Sequence, residues 1–222
     1  FNEVPFLDRF DAAARAGFKA VEFLFPYEHP AGELKRRLDG AGLKLVLFNM
    51  PPGDWPGGER GLASLPGRQA EFRDSTAKAL DYAAALDCKL VHCMAGIPPA
   101  GTPPVTAAAL FAANIAWAAE QAKAAGVRLA LEPINHRDMP GYHLNTMQQG
   151  ADVVAAIGID RVGLQFDLYH CQITEGDITR RIEKLLPVIV HMQLADVPDR
   201  HEPGTGEIGW DYVLPRIDAL GY

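Results

Sequence analysis

Short apolar stretches alternate with longer amphipathic stretches along almost the whole chain. The short stretches have the length and continuous apolar character of buried parallel strands. The longer stretches place apolar residues at the spacing of one helix face. Predicted strands cover residues 20–26, 44–50, 89–95, 128–135, 162–170 and 188–195. Predicted helices cover residues 6–16, 32–41, 68–86, 105–125, 146–157, 177–186 and 210–220.

This alternation of strands and helices predicts a parallel sheet covered by helices. A doubly wound nucleotide-binding sheet needs a glycine-rich phosphate loop, and the sequence contains neither GxGxxG nor GxxxxGK[ST]. A (β/α)8 barrel, or TIM barrel, has its functional loops after the strands. The long predicted loops do follow strands, at residues 51–66, 97–104, 136–145 and 196–209. We therefore expect an α/β chain that forms a single TIM-barrel domain over residues 1–222.

The number of predicted strands is six, whereas a complete barrel has eight. The sequence begins inside a predicted helix and stops just after another. We therefore expect that the first and last strands of the barrel lie outside residues 1–222. These two strands would be neighbours at the point where the barrel closes.

Composition and charge narrow the range of partners. The formal net charge is −7, and the lysines and arginines are scattered, which argues against binding to nucleic acid or to an anionic membrane. No apolar stretch of the sequence reaches the length needed to span a bilayer. The 3 cysteines include no CxxC pair, so we expect reduced thiols, no zinc site built from them and a cytoplasmic location.

A carboxylate interrupts the apolar strand predicted over residues 128–135. This residue is Glu132, and a buried carboxylate is costly unless it is paired, hydrogen-bonded or bound to a metal. Asp167 and Gln193 occur at similar depth on the next two predicted strands, and neighbouring strands lie only about 4.8 Å apart. Two carboxylates and an amide oxygen form a hard oxygen site, which suits Mg²⁺ or Mn²⁺ better than Zn²⁺.

Each of these three residues also has a purely structural interpretation. An acidic residue at a strand end often caps the next helix or pairs with an arginine, and a buried glutamine often satisfies a hydrogen bond. For any one residue taken alone, the structural role is the better explanation. The occurrence of all three at one depth favours a shared metal site.

Three further residues are candidates for substrate binding. His170 lies three positions after Asp167, Arg200 lies seven after Gln193, and both are expected at the mouth of the barrel. Imidazole and guanidinium groups can hydrogen-bond a hydroxyl or carboxylate of a substrate, although an ordinary loop residue is the alternative for each. His92 faces inward by strand alternation, and a satisfied core histidine is at least as good an explanation for it.

Four stretches of the sequence resemble one known family. The family comprises the hydroxypyruvate isomerases and the closely related 2-oxo-tetronate isomerases, which are xylose-isomerase-like barrels. Sugar 3-epimerases and endonuclease IV are more distant members of the same group. The stretches are VEFLFPYEHP at 21–30, LEPIN at 131–135, FDLYH at 166–170 and HMQLADVPDRHEPGTGEI at 191–208.

This resemblance implies roles for several residues. Glu132, Asp167 and Gln193 match metal-binding positions of the family, and Glu132 also matches one of its two catalytic glutamates. The resemblance places the other catalytic glutamate beyond Tyr222. In the related epimerases, the positions that correspond to His170 and Arg200 hold substrate oxygens.

The implied reaction is a metal-dependent isomerisation of a small hydroxy-carbonyl acid. Hydroxypyruvate and its aldehyde isomer tartronate semialdehyde would interconvert through an enediolate, with glutamate as acid and base and without a redox cofactor. A 2-oxo-tetronate isomerase and a ketose 3-epimerase are the alternatives. An endonuclease IV-like DNA-repair nuclease and a non-catalytic binding module are less favoured. Formation of a homo-oligomer is also open.

Overall fold

Six parallel strands form one sheet, in which the strands are neighbours in the order in which they occur along the chain. The computed structural model describes residue 1 and residues 3–222. The strands are β1 (Ala20–Phe23), β2 (Lys44–Asn49), β3 (Leu90–His92), β4 (Arg128–Leu131), β5 (Val162–Asp167) and β6 (Ile189–Gln193). The helices are α1 (Arg9–Arg15), α2 (Ala31–Ala41), α3 (Gln69–Leu86), α4 (Pro104–Ala124), α5 (Met147–Ile157), α6 (Leu168–Thr174), α7 (Ile178–Leu185) and α8 (Trp210–Ala219).

Two groups of buried apolar side chains hold the helices against the sheet. The larger group joins the first four strands to helices α1–α5 and includes Phe48, Ile115 and Leu129. The smaller group joins β5 and β6 to helices α6–α8 and includes Phe166 and Ile182. Burial of such side chains contributes roughly 1.5–3 kcal/mol each, so these contacts fix the positions of the strand ends. None of the described helices is long and apolar enough to cross a bilayer.

The register of the sheet brings three strand ends to the same edge. Leu131 pairs with Leu164, and Asp167 pairs with Gln193. Because β4 ends at Leu131, Glu132 is the first residue after that strand. Asp167 and Gln193 are the last residues of β5 and β6. Three residues that the sequence analysis placed at similar depth therefore follow one another along the carboxyl edge of the sheet.

The structure corrects the bounds of two strands. The strand predicted over residues 128–135 ends at Leu131, before Pro133, which cannot donate a hydrogen bond to a neighbouring strand. The prediction that β5 continues through residues 168–170 was wrong, because these residues begin the unpredicted helix α6. The Asp167 carboxylate accepts hydrogen bonds from the backbone N–H groups of Tyr169 (2.8 Å) and His170 (3.2 Å). Such an N-cap starts a helix and ends the strand.

The other predicted elements are present, with ends that differ by three residues or fewer. The helix predicted over residues 6–16 begins as a single 3-10 turn, Phe6–Asp8, before α1. Helix α5 has a complete capping box, in which the Thr146 side chain accepts from the backbone of Gln149. As predicted, the described residues 51–66 contain no helix or strand.

Candidate active site

Glu132 lies at the carboxyl edge of the sheet and is only 7% exposed. Its Oε2 is 3.5 Å from Nδ1 of His92, and its Oε1 is 3.6 Å from Nε2 of His170. Both distances are longer than a normal hydrogen bond. Burial raises the pKa of Glu132 well above its usual range, the charge of Asp167 raises it further, and Arg200 opposes the shift. The negative charge of this carboxylate is therefore only partly compensated.

Asp167 is 1% exposed, and its carboxylate is held on both oxygens. Oδ1 caps α6, and Oδ2 accepts a hydrogen bond from Nη2 of Arg200 at 3.0 Å. One ligand atom each from Glu132, Asp167 and His170 lie within 4.8 Å of one another. This group has the compactness that a metal ion requires, and two of its members are predicted metal ligands.

His170 lies in the first turn of α6 and is 2% exposed. Its Nδ1 is 2.7 Å from Nδ2 of Asn135, and its Nε2 is 3.7 Å from Oδ2 of Asp167. Burial lowers the pKa of His170 to about 4, although the charge of Asp167 acts in the opposite direction. The imidazole is therefore neutral near pH 7 and faces the two carboxylates of the site.

Gln193 has both ends of its amide engaged by other side chains. Its Oε1 accepts a hydrogen bond from Nε2 of Gln165 at 2.8 Å, and its Nε2 donates to Oε1 of Glu22 at 2.5 Å. Glu22 also pairs with His191 at 2.6 Å. Burial raises the pKa of Glu22, but the hydrogen bonds from His191 and Gln193 outweigh it and leave that pKa lowered. The role of Gln193 as a metal ligand stays a prediction.

His92 ends β3 and is 1% exposed. Neither of its ring nitrogens has a hydrogen-bond partner among the described residues. Burial lowers the pKa of His92 to about 3, with a further contribution from His191. A neutral imidazole has one donor and one acceptor nitrogen, so His92 can still hydrogen-bond a molecule that enters beside Glu132. Its predicted part in substrate binding stays a prediction.

Arg200 reaches the site from the loop that follows β6. Its guanidinium carbon lies 5.0 Å from the centre of the Tyr169 ring, a cation–π distance. Arg137 donates to the Tyr169 hydroxyl at 3.1 Å and to the carbonyl of Pro198 at 2.8 Å. Arg137 thus connects the loops after β4 and β6, and both guanidinium groups contact Tyr169.

A cavity of about 460 Å³ opens beside the candidate site. Its polar lining includes Glu22, Asp167, His191, Gln193 and Arg200. Sequence reasoning assigned no role to Asn135, Arg137 or Tyr169. Tyr169 adjoins His170 in the sequence, and Asn135 lies three positions after Glu132, so nearness to predicted site residues was a usable signal. Arg137 contacts a residue 61 positions away, and no local pattern indicates that contact.

Residues 10–222 match the sequence model of a protein family that is described as xylose isomerase-like TIM barrel. The chain belongs to this family. The α/β barrel class predicted from alternating strands and helices is therefore confirmed. The position of the candidate site agrees with the fold, because TIM barrels carry their active sites at the carboxyl ends of the strands.

Curated relatives match the whole chain. It is 50% identical over 222 residues to the 2-oxo-tetronate isomerase of Cupriavidus necator, and the alignment covers 100% of this chain and 85% of that protein. It is 42% identical over 222 residues to the hydroxypyruvate isomerase of Escherichia coli (strain K12), and the alignment covers 100% of this chain and 86% of that protein. The resemblance to these two groups of isomerases is confirmed.

Solved structures share the fold. The crystal structure of an AP endonuclease, family 2, from Brucella melitensis has a TM-score of 0.96 and 46% identity, and the match covers 100% of this chain and 86% of that one. A structure of L-ribulose 3-epimerase has a TM-score of 0.80 and 26% identity, with 97% and 72% covered. Solved structures with endonuclease and epimerase names thus share this architecture.

Proposed function

We propose that this protein is a metal-dependent isomerase that interconverts a small 2-oxo or hydroxy acid and its aldehyde isomer. Hydroxypyruvate and tartronate semialdehyde are the proposed pair, and a four-carbon 2-oxo-tetronate is the second candidate because of the 50% identity to a 2-oxo-tetronate isomerase. The observation that carries the proposal is the pair of buried carboxylates, Glu132 and Asp167, at the carboxyl edge of an isomerase-type barrel.

The proposed cofactor is one divalent cation, Mg²⁺ or Mn²⁺, held by Glu132, Asp167 and Gln193. The fit rests on the surroundings of Glu132, whose pKa is raised by burial and by the charge of Asp167. A cation between two buried carboxylates would offset both the loss of hydration that burial causes and the repulsion from Asp167. Carboxylate and amide oxygens are the ligands that Mg²⁺ and Mn²⁺ prefer. His170 lies beside the same carboxylates.

Glu132 is the proposed acid and base. In its ionised form it accepts the proton from the carbon next to the carbonyl and returns it to the neighbouring carbon of the enediolate. A divalent cation, when bound, supplies positive charge that offsets the negative charge developing on the substrate oxygens. The second catalytic glutamate that the resemblance places beyond Tyr222 would share this proton transfer.

Three residues are proposed to bind the substrate. Arg200 offers guanidinium N–H groups at the mouth of the site, where a carboxylate or hydroxyl oxygen can accept from them. Among the residues that the structure describes, neither ring nitrogen of His92 has a hydrogen-bond partner, and the ring lies beside Glu132. His170 directs Nε2 toward the same region. Together these groups favour an anionic molecule rich in hydroxyl and carbonyl oxygens. A cytoplasmic location and homo-oligomer formation remain further expectations.

An activity assay of the full-length protein tests the proposal. Hydroxypyruvate and a 2-oxo-tetronate are supplied in turn with Mg²⁺ or Mn²⁺, with a ketose and with DNA containing an abasic site as control substrates. We expect isomerisation of a 2-oxo acid that stops when a chelator is added. Cleavage of the DNA without isomerisation would favour the nuclease, and epimerisation of the ketose would favour a 3-epimerase. Binding without turnover would indicate a binding module.

A further inference from the structure

The orientation of the Asn135 side chain is fixed by two contacts with Asp138. Asn135 is 0% exposed. Its Oδ1 accepts a hydrogen bond from the backbone N–H of Asp138 at 2.9 Å, and its Nδ2 donates to Oδ2 of Asp138 at 3.2 Å. A backbone N–H can only donate and an ionised carboxylate can only accept. Exchanging the amide oxygen and nitrogen would therefore break both contacts.

This fixed amide points a donor at His170. Nδ2 of Asn135 is 2.7 Å from Nδ1 of His170, and the backbone N–H of Asn135 also points to Nδ1, at 3.5 Å. Both groups facing Nδ1 are donors, so Nδ1 must be the acceptor nitrogen of the ring. The proton of the neutral imidazole is then on Nε2.

We propose that Asn135 is a positioning residue that fixes His170 in the tautomer with its proton on Nε2. That N–H faces Oε1 of Glu132 at 3.6 Å and Oδ2 of Asp167 at 3.7 Å. These distances are longer than a hydrogen bond, so the Nε2–H group of His170 is available to an oxygen of a bound molecule. A nitrogen that carries a proton cannot bind a metal. Beside Glu132 and Asp167, His170 is therefore a hydrogen-bond donor, although its position alone would also suit a metal ligand.

The tautomer itself rests on the hydrogen-bond geometry. The use of the Nε2 proton to hold a substrate oxygen rests on the proposed function. A neighbour that fixes the tautomer of an active-site histidine also fixes its ring orientation. Asn135 therefore acts on the reaction only through His170 and does not touch the reacting atoms.

Side-chain ¹⁵N NMR of the metal-free full-length protein tests the tautomer directly. The His170 signals are assigned by their loss in His170→Gln. We expect an unprotonated, pyridine-type Nδ1 and a protonated, pyrrole-type Nε2. A pyrrole-type Nδ1 in the wild-type protein would overturn the proposal, whatever the protein catalyses.

Asn135→Asp is the informative variant, because it keeps the acceptor for the backbone of Asp138 and replaces the side-chain donor, which is the nearer of the two donors that face Nδ1. The Nδ1 signal of His170 should shift from pyridine-type to pyrrole-type. The matched control is Asn114→Asp, which changes another buried asparagine, one that donates to the carbonyl of Ala63 at 2.9 Å. We expect no shift at His170 in this control. An unchanged His170 in folded Asn135→Asp would show that Asn135 does not set the tautomer.

Kinetics separate this inference from the proposed function. Asn135→Asp should lower kcat/KM for the isomerisation by about 10- to 100-fold, with a much smaller change in the Asn114→Asp control. A confirmed tautomer in a protein without isomerase activity would refute the proposed function alone. An active isomerase with the His170 proton on Nδ1 would refute this inference alone.

Discussion

Glu132 and Asp196 are both buried carboxylates at the carboxyl edge of the sheet, but their surroundings are opposite. No hydrogen bond from the described residues offsets the burial of the Glu132 carboxylate. Asp196 is the third residue after β6, and its carboxylate accepts four hydrogen bonds. The donors are the backbone N–H groups of Val197 (3.0 Å), Gly204 (2.9 Å) and Ile208 (3.0 Å) and the indole N–H of Trp210 (2.8 Å).

Although both carboxyl groups are buried, the pKa of Glu132 is raised and the pKa of Asp196 is lowered. Burial raises the pKa of Glu132, and the nearby charge of Asp167 adds to the shift. Burial also acts to raise the pKa of Asp196, but hydrogen bonds from Ile208 and Trp210 outweigh it and hold that pKa well below its usual range. Asp196 therefore stabilises the loop that carries Arg200. Ionisation of Glu132 costs stability because its buried charge is only partly compensated, and strongly shifted pKa values of this kind are frequent at functional sites.

The largest expected effect belongs to Glu132→Gln. The change removes the proton acceptor and keeps the size of the side chain, so kcat should fall by about 10²- to 10⁴-fold with a much smaller change in KM. Steady-state kinetics with Mg²⁺ or Mn²⁺ measures both. Asp196→Asn is the comparison variant, and the kcat of its folded fraction should change far less. Turnover near the wild-type value in Glu132→Gln would assign the proton transfer to another group.

Asp167→Asn should weaken metal binding. The variant keeps the shape of the side chain but removes one of the two negative charges that would hold the cation, so the affinity for Mn²⁺ should fall on the order of 10-fold or more. Titration calorimetry measures this without any substrate. Asp152→Asn, an exposed acid on α5, serves as the control. Equal affinity in both variants and the wild type would exclude Asp167 as a ligand.

Asp196→Asn should lower the melting temperature by several degrees. Either orientation of the new amide directs an NH₂ group at two of the four donors, so hydrogen bonds are lost and donors face each other. Asp199→Asn, an exposed acid in the same loop, is the control for thermal unfolding. The pKa of Asp196 is lowered in the folded protein. Its contribution to the free energy of unfolding is therefore fully present above pH 3.8, the ordinary pKa, and is lost as the pH falls through the pKa of the folded state. An unchanged melting temperature at pH 7 would mean that the loop does not depend on Asp196.

The last expected effect is a gain of stability instead of a loss. In the metal-free protein, Glu132→Gln should raise the free energy of unfolding by about 1–3 kcal/mol near neutral pH, because an uncompensated buried charge is removed. The folded pKa of Glu132 is raised, so the wild type loses stability as the pH rises from the ordinary value of 4.5 through the folded pKa. The advantage of the variant should therefore vanish below pH 4.5. Denaturant unfolding across this range measures it, and a wild type that is more stable at neutral pH would contradict our account of Glu132.

The order of the elements and the edge that carries the site could be predicted from the sequence. Apolar periodicity is a local property, and it identified all six strands found among the described residues. The polar interruptions at Glu132, Asp167 and Gln193 were visible in the same pattern. The end of β5 could not be predicted, because the apolar residues after Asp167 continue the strand pattern while the Asp167 side chain caps α6.

The sequence by itself therefore determined the class of fold, the family and the carboxylates at the strand ends, since each depends on residue type and spacing along the chain. Only the tertiary structure decided which polar atoms meet. Gln193 contacts Glu22 across 171 positions, and Asn135 contacts His170 across 35. Hydrogen bonds have strict limits of distance and direction, and the packing of the two apolar cores sets those distances. The difference between Glu132 and Asp196, two acids with similar places after a strand, arises at this level.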